Sequence, residues 1–270
     1  MIDPVSPATM HVQRSGHSFR VVPSHPGFWN DFTRESWEPE TFALFDHFIT
    51  PETVHLDVGA WIGPTLLYAA TRARLAVGFE PDPVAFQILE QNVAANPGRA
   101  PIQLHGCAIA AHRGQLRLGS RSTPGDSMSS ALFADQTATW TTEAHRLEEF
   151  EPEWPTGAPV FLKIDIEGGE YRLLPALRDF VRRRRPTIYL SLHSDFFMAP
   201  YMKRGFALKL IGEFRLLTCF LRSWPILRAY RYVTSLSGER LSARQILHRR
   251  TWRRAWGLVM SDRPIPSLRR

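Results

Sequence analysis

From residue 53 onward the chain alternates between two hydrophobic periods, and that alternation restricts its possible folds more than any other feature. Apolar runs of strand length occur at 53–58, 75–80, 101–109, 160–166 and 187–192, and helical patterns at 64–73, 82–95 and 169–184 separate most of them. Strands that alternate with amphipathic helices form a mostly parallel sheet, because each crossover helix returns to cover a sheet face. The expected class is therefore α/β, a doubly wound, Rossmann-like sheet with helices on both faces. At 270 residues the chain is long enough for one large, well-buried core.

The flanks follow other rules. Residues 11–23 alternate loosely and predict a hairpin around Gly16. The stretch 38–48, EPETFALFDHF, carries Phe42, Phe45 and Phe48 on one helical face with Pro39 in its first turn. Residues 1–52 are accordingly expected to be an extension of hairpin and helix packed on a domain spanning 53–270. The segment 110–158 breaks the rhythm: 114–119 reads as a strand, and GSRSTPGDSMSS at 119–130 as a polar loop. Beyond residue 200 the pattern predicts a helix over 206–221, a hairpin turning at Ser237-Gly238 and a closing strand at 257–260, GLVM.

Charge is unevenly divided. Residues 1–200 hold 17 Lys+Arg against 23 Asp+Glu, whereas residues 201–270 hold 16 against 3. The basic tail can face solvent, nucleic acid or an anionic lipid surface, and basic helices near 203–222 and 243–254 make peripheral membrane contact one expectation. The first residues show no basic start with an apolar run, and no window approaches the roughly 18 apolar residues of a spanning helix. Cys107 and Cys219 lie far apart without a CxxC partner, so free thiols and a cytoplasmic location are expected.

The chemistry concentrates in TVHLDVGAWIGPTLLYAA, residues 53–70. A glycine loop between strand and helix first suggests a dinucleotide site, which needs glycines where the pyrophosphate approaches and where helix packs on strand. Aligned on Gly59, those positions hold Trp61 and Pro64, and no GK[ST] follows. Phosphate is thus disfavoured at this loop. Asp57 ends its strand and Glu80 ends the next, so both lie at the carboxyl edge where doubly wound sheets bind ligands. Acidic residues there suit ribose hydroxyls and a cationic, phosphate-free nucleoside, a description that S-adenosylmethionine meets.

LDVGAWIG, GFEPDPVAFQILEQNVAAN and LKIDIEGGEYRLL, in this order, resemble the FkbM-type S-adenosylmethionine-dependent methyltransferases over about residues 53–195. The resemblance implies a class I methyltransferase-like sheet of seven strands with one antiparallel, for which GLVM is the candidate. It also implies O-methylation of a sugar, glycan or natural-product hydroxyl. The cofactor-binding residues are then Asp57, Gly59, Trp61, Gly63, Glu80 and Asp82, with Cys107 and Ala108 beside the adenine. Trp61 stands where the family more often has Asn, and His193 where it commonly has an acidic residue.

Asp165 and His193 end the fourth and fifth strands and are the catalytic candidates. An ordinary histidine pKa near 6.5 suits a base at neutral pH, with Asp165 positioning the acceptor. Glu167 and Glu170 complete D-x-E-x-x-E with Asp165; carboxylates at a helix N-terminus are also favoured without any ion, so no metal is expected. The expected partner is a small-molecule or glycan acceptor. Nucleic-acid methylation through the basic tail and a non-catalytic scaffold are the competing readings.

Overall fold

The N-terminal extension begins with a hairpin. The computed structural model describes residues 8–120, 125, 129–130, 139–202, 206–242, 245–246 and 256–265. Strand β1 (Met10–Arg14) pairs antiparallel with β2 (His17–Val21) across a two-residue turn. Ser15 and Gly16 both have positive φ (48° and 77°), the turn geometry whose twist matches paired strands. Helices α1 (Pro26–Thr33) and α2 (Pro39–Phe48) each start at proline, where a missing N–H costs nothing. Trp29, Phe32, Phe42, Phe45 and Phe48 are buried between these helices and the domain.

Strand β3 (Val54–Val58) leads through the glycine loop into α3 (Pro64–Ala69), followed by β4 (Leu75–Phe79), α4 (Pro83–Ala94) and β5 (Ile102–His105). The expected strand over 101–109 divides here. Gly106 lies against the Phe86 ring, and the chain leaves the main sheet to form β6 (Ala108–Ile109). With β7 (Gly114–Ser120), β8 (Ser129–Ser130) and β9 (Thr139–His145), β6 builds a separate four-stranded sheet. Most of the polar loop expected at 119–130 lies outside the described residues.

A 3-10 helix at Leu147–Glu153 returns the chain to β10 (Val160–Ile164). The single helix expected over 169–184 is two, α5 (Glu170–Ala176) and α6 (Arg178–Arg184). Pro175 supplies no N–H to the helical ladder, and Leu177 (φ −80°, ψ 6°) leaves helical geometry. Strand β11 (Thr187–Leu192), α7 (Ser194–Met202), α8 (Phe206–Ala229), β12 (Tyr232–Ser235) and β13 (Trp256–Ser261) complete the order. The expected helix over 206–221 therefore runs two turns further. The expected second hairpin is reduced to one bridge, Thr234 to Arg240. The basic stretch 243–254 lies almost wholly outside the described residues.

The main sheet has seven strands in the order β12-β13-β11-β10-β3-β4-β5. Only β13, which contains GLVM, runs antiparallel to its neighbours, β11 and β12; β3, β4, β5, β10 and β11 are parallel. From β3 the chain proceeds outward through β4 and β5, and it later resumes on the other side at β10. Between β3 and β10 the strand order reverses, which splays the adjoining loops and opens a crevice at the carboxyl ends. No helix among the described residues is long and apolar enough to cross a membrane, and both Cys107 and Cys219 are free thiols.

Candidate active site

At that reversal the two strand ends almost touch. Gly59 (φ 87°) follows β3, and a Cβ placed on it would overlap the backbone carbonyl oxygen of Asp165 after β10. Glycine is required here twice over, for its dihedral angle and for the contact. Gly63 (φ 94°) caps α3, where a Cβ would press on Leu89 of α4 at 2.6 Å. Its role is to let those helices approach, and it is not on the wall of the cavity described next.

A cavity of about 390 Å³ opens above the crevice, lined by Gly59, Trp61, Glu80, Cys107, Ala108, Asp165 and Glu167, among others. That volume lies in the range of small-ligand sites. Gly59, Trp61, Glu80, Cys107, Ala108 and Asp165 are thus gathered around one space from four separate segments. Asp57, Gly63, Asp82 and His193 are not on its wall, and each has other work.

Asp57 is fully buried beneath the loop. Its carboxylate accepts hydrogen bonds from Lys163 Nζ (3.0 Å) and Thr65 Oγ1 (2.6 Å), while His55 Nε2 stands 3.8 Å away. Burial opposes its charge, but the Lys163 ammonium outweighs that and lowers the Asp57 pKa to about 2. Lys163 also reaches the Gly59 carbonyl (3.4 Å) and Asp165 Oδ2 (3.7 Å). Asp57, expected as a cofactor-binding residue, lies beneath the cavity and anchors the lysine that ties β3, the glycine loop and Asp165 together.

Glu80 accepts the backbone N–H of Trp61 on one oxygen and that of Asp82 on the other, both at 2.8 Å. It still borders the cavity, and burial raises its pKa to about 7. Each carboxylate oxygen has a further lone pair to offer a ligand hydroxyl. Asp82 is the N-cap of α4, accepting from Val84 and Ala85 N–H through Oδ1 and from Gly125 N–H through Oδ2. A carboxylate so committed serves as a structural cap.

Trp61 resolves the oddity of the loop. Its backbone has φ 48°, a left-handed conformation that asparagine tolerates far better than a bulky residue. Here the strain is offset by contacts. The indole N–H donates to the Gly125 carbonyl (3.0 Å) and the ring meets Phe28 edge-on with centroids 4.6 Å apart. One side chain thus joins the N-terminal extension, the cavity wall and Gly125.

Glu167 (φ 53°) precedes Gly168 and Gly169 in the turn after β10. Burial drives its pKa up to about 8, with Asp165 and Glu170 adding to the rise and His193 opposing it. Glu170 is wholly buried and organises this turn: it accepts from Ile166 N–H and Gly168 N–H at 2.9 Å each and from His193 Nδ1 at 3.2 Å. His193 also lies 3.7 Å from Asp165 and 3.8 Å from Glu167. Burial would lower its pKa, but Glu170, Asp165 and Glu167 together raise it to about 9. That shift favours the protonated imidazole at neutral pH and weighs against the expected role of base there; its neighbours Glu170, Asp165 and Glu167 suit a cation instead.

Asp165, Glu170 and His193 each present a ligand atom within 4.8 Å of the others, a spacing open to a divalent cation. Both Glu170 oxygens, however, already accept backbone N–H groups, and His193 supplies positive charge locally. Burial raises the Cys107 pKa to about 12 and keeps the thiol neutral, so Cys107 and Ala108 form an apolar wall of the cavity.

Sequence reasoning missed Glu38 altogether. It sits at φ 46° before α2, accepts from Thr41 Oγ1 (3.0 Å), and has its pKa raised to about 7 by burial and by Asp165. No local pattern marks it, because the charged groups that act on it most, Asp165 and Lys163, are more than a hundred residues away. Lys163, Glu167 and Glu170 were visible in LKIDIEGGE, but their division of labour was not.

The model for the FkbM methyltransferase domain matches residues 57–219. No curated protein matches the chain. Among solved structures it is similar to a methyltransferase FkbM from Methylobacillus flagellatus KT, at 18% identity and TM-score 0.44 over 78% of this chain and 44% of that one. It is also similar to Trm5b from Pyrococcus abyssi (11%, 0.40, covering 96% and 56%) and to an O-methyltransferase from Bacillus cereus solved with SAH (13%, 0.39, covering 83% and 80%). The chain therefore spans less than half the length of the first of these.

Proposed function

Because the chain belongs to the FkbM methyltransferase domain family, we propose that it transfers a methyl group from S-adenosylmethionine to a hydroxyl of a sugar, glycan or natural product. The observation that carries this reading is the meeting of Glu80, Asp165 and Glu167 around one cavity at the sheet reversal. These are acidic groups where a cationic nucleoside would lie, and the second glycine of a pyrophosphate site is replaced by Trp61. When bound, S-adenosylmethionine supplies an electrophilic methyl group on a sulfonium.

The chain's own residues supply the rest. Glu80 offers lone pairs to ribose hydroxyls while its other contacts fix the loop. Cys107 and Ala108 give the adenine a dry surface. Asp165 orients the acceptor hydroxyl, and Glu167 takes the proton in the fraction of molecules that hold it ionised. Burial raises its pKa to about 8, so that fraction, and turnover with it, rises as pH climbs from about 6 to 9. His193 and Lys163 hold the two carboxylates by charge from either side, and the turn after β10 keeps them fixed.

The test is transfer from methyl-labelled cofactor to pools of glycans and natural-product hydroxyl acceptors. Loss of a catalysing base lowers kcat by roughly 10²–10⁴-fold, so Glu167→Gln should fall in that range. Asp165→Asn should lower kcat/KM through poorer acceptor alignment. Turnover near wild type in both variants would overturn the assignment, and label transferred only to nucleic acid would overturn the substrate class.

A further inference from the structure

Helix α8 has an apolar face that nothing among the described residues covers. Its buried residues, Gly212, Leu216, Phe220, Ser223, Ile226 and Leu227, pack inward, and α8 contacts α5, α6 and α7. Phe206, Leu210, Phe214 and Leu221 are nevertheless 50–77% exposed. At about 100° per residue these four fall within an arc of roughly 80°, centred about 140° around the helix from the buried set. They form a continuous stripe about 22 Å long. Scattered exposed apolar residues need no explanation, but an aligned row of large ones marks a contact surface.

The charges around the stripe identify the contact. Arg215 and Arg222 are exposed along one flank, and Arg228 is exposed at its C-terminal end. Glu213 is the one acidic residue against four basic ones in the helix. In a symmetric pairing of two copies this face would oppose its own copy, setting arginines near arginines with little to neutralise them. A bilayer bearing anionic headgroups meets both demands at once, since Phe and Leu enter the acyl boundary while arginines reach phosphate. We propose that α8 is a peripheral docking face for an anionic membrane surface, with Phe206, Leu210, Phe214 and Leu221 inserted and Arg215, Arg222 and Arg228 on the headgroups. This inference is independent of the methyl-transfer reading.

The full chain should co-sediment with vesicles of phosphatidylglycerol mixed equally with phosphatidylcholine, and much less with phosphatidylcholine alone. Leu210→Glu with Phe214→Glu should reduce that binding about tenfold or more while leaving the melting temperature near wild type, since both side chains are exposed. Arg215→Gln with Arg222→Gln should weaken binding more at low salt than at high salt. Wild-type protein left in the supernatant with anionic vesicles would overturn the proposal, as would unchanged binding by the Leu210/Phe214 variant. So would light scattering in which wild type is a dimer and that variant a monomer without vesicle binding.

Discussion

Lys163→Met tests the electrostatic anchor under the glycine loop. In the native protein the Lys163 ammonium lies 3.0 Å from Asp57 Oδ1, and both side chains are almost wholly excluded from water. Asp57 shifts from 3.8 to about 2, which corresponds to roughly 2 kcal/mol of folded-state preference for its charged form. Methionine fills similar volume but leaves that carboxylate with the Thr65 hydroxyl and a histidine whose own pKa is lowered by burial. Breaking a buried pair on one side costs about 3–5 kcal/mol, or a fall of about 5–9 °C in Tm for a chain of this size. Urea denaturation at pH 7 measures the loss.

The pH dependence of that loss carries a sign. In wild type, a lowered Asp57 pKa contributes stability above pH 3.8 that disappears as pH falls through 2. In Lys163→Met burial raises the same pKa, so the variant gains relative stability on acidification and the gap narrows. Adding Asp57→Asn should recover part of the loss, because no buried charge then remains. A cost below about 1 kcal/mol, or a double variant less stable than Lys163→Met alone, would refute the anchor.

Other substitutions probe neighbouring parts. Gly59→Ala forces a Cβ onto the Asp165 carbonyl at a left-handed φ and should cost about 3 kcal/mol, read by denaturant melts, with cofactor binding lost alongside. Trp61→Phe removes the hydrogen bond to Gly125 and should lower stability by about 1 kcal/mol; an unchanged melt would show that this bond does not hold the segment. His193, raised from 6.5 to about 9, contributes stability that is complete below pH 6.5 and lost as pH rises through 9. The advantage of wild type over His193→Gln should therefore be about 3 kcal/mol at pH 6 and fade above pH 9 in paired melts.

Strand and helix periods made the sheet legible because its central strands are short, apolar and separated by amphipathic helices. Strands β3, β4, β10 and β11 fall within the apolar runs of that pattern, and GLVM was apolar enough to mark the closing antiparallel strand. The split at Gly106 and the break at Leu177 were hidden, since each depends on a single residue packed against something distant, Phe86, or on the proline at 175 within a continuous helical pattern. In the site, strand ends located Glu80 and Asp165 because position and residue type agreed. His193 was placed correctly at the edge of the sheet, but the carboxylates that set its charge come from a turn 23–28 residues earlier, and no spacing rule reports their distances. Trp61 is a similar case. Its conformation follows from the loop, whereas its partners Phe28 and Gly125 come from segments that only the fold brings near.

Calorimetric titration with S-adenosylhomocysteine, wild type against Glu80→Ala, tests directly whether this cavity holds the cofactor. Wild type should show one site per chain, with at least a tenfold weaker Kd in the variant, as expected for losing about 1.4 kcal/mol or more of hydrogen bonding. Because only the ionised carboxylate gives both oxygens to hydroxyl donors, and Glu80 has a pKa of about 7, wild-type affinity should rise several-fold between pH 6 and 8. No binding by the folded wild-type protein, or equal affinity in Glu80→Ala, would contradict the assignment of this cavity.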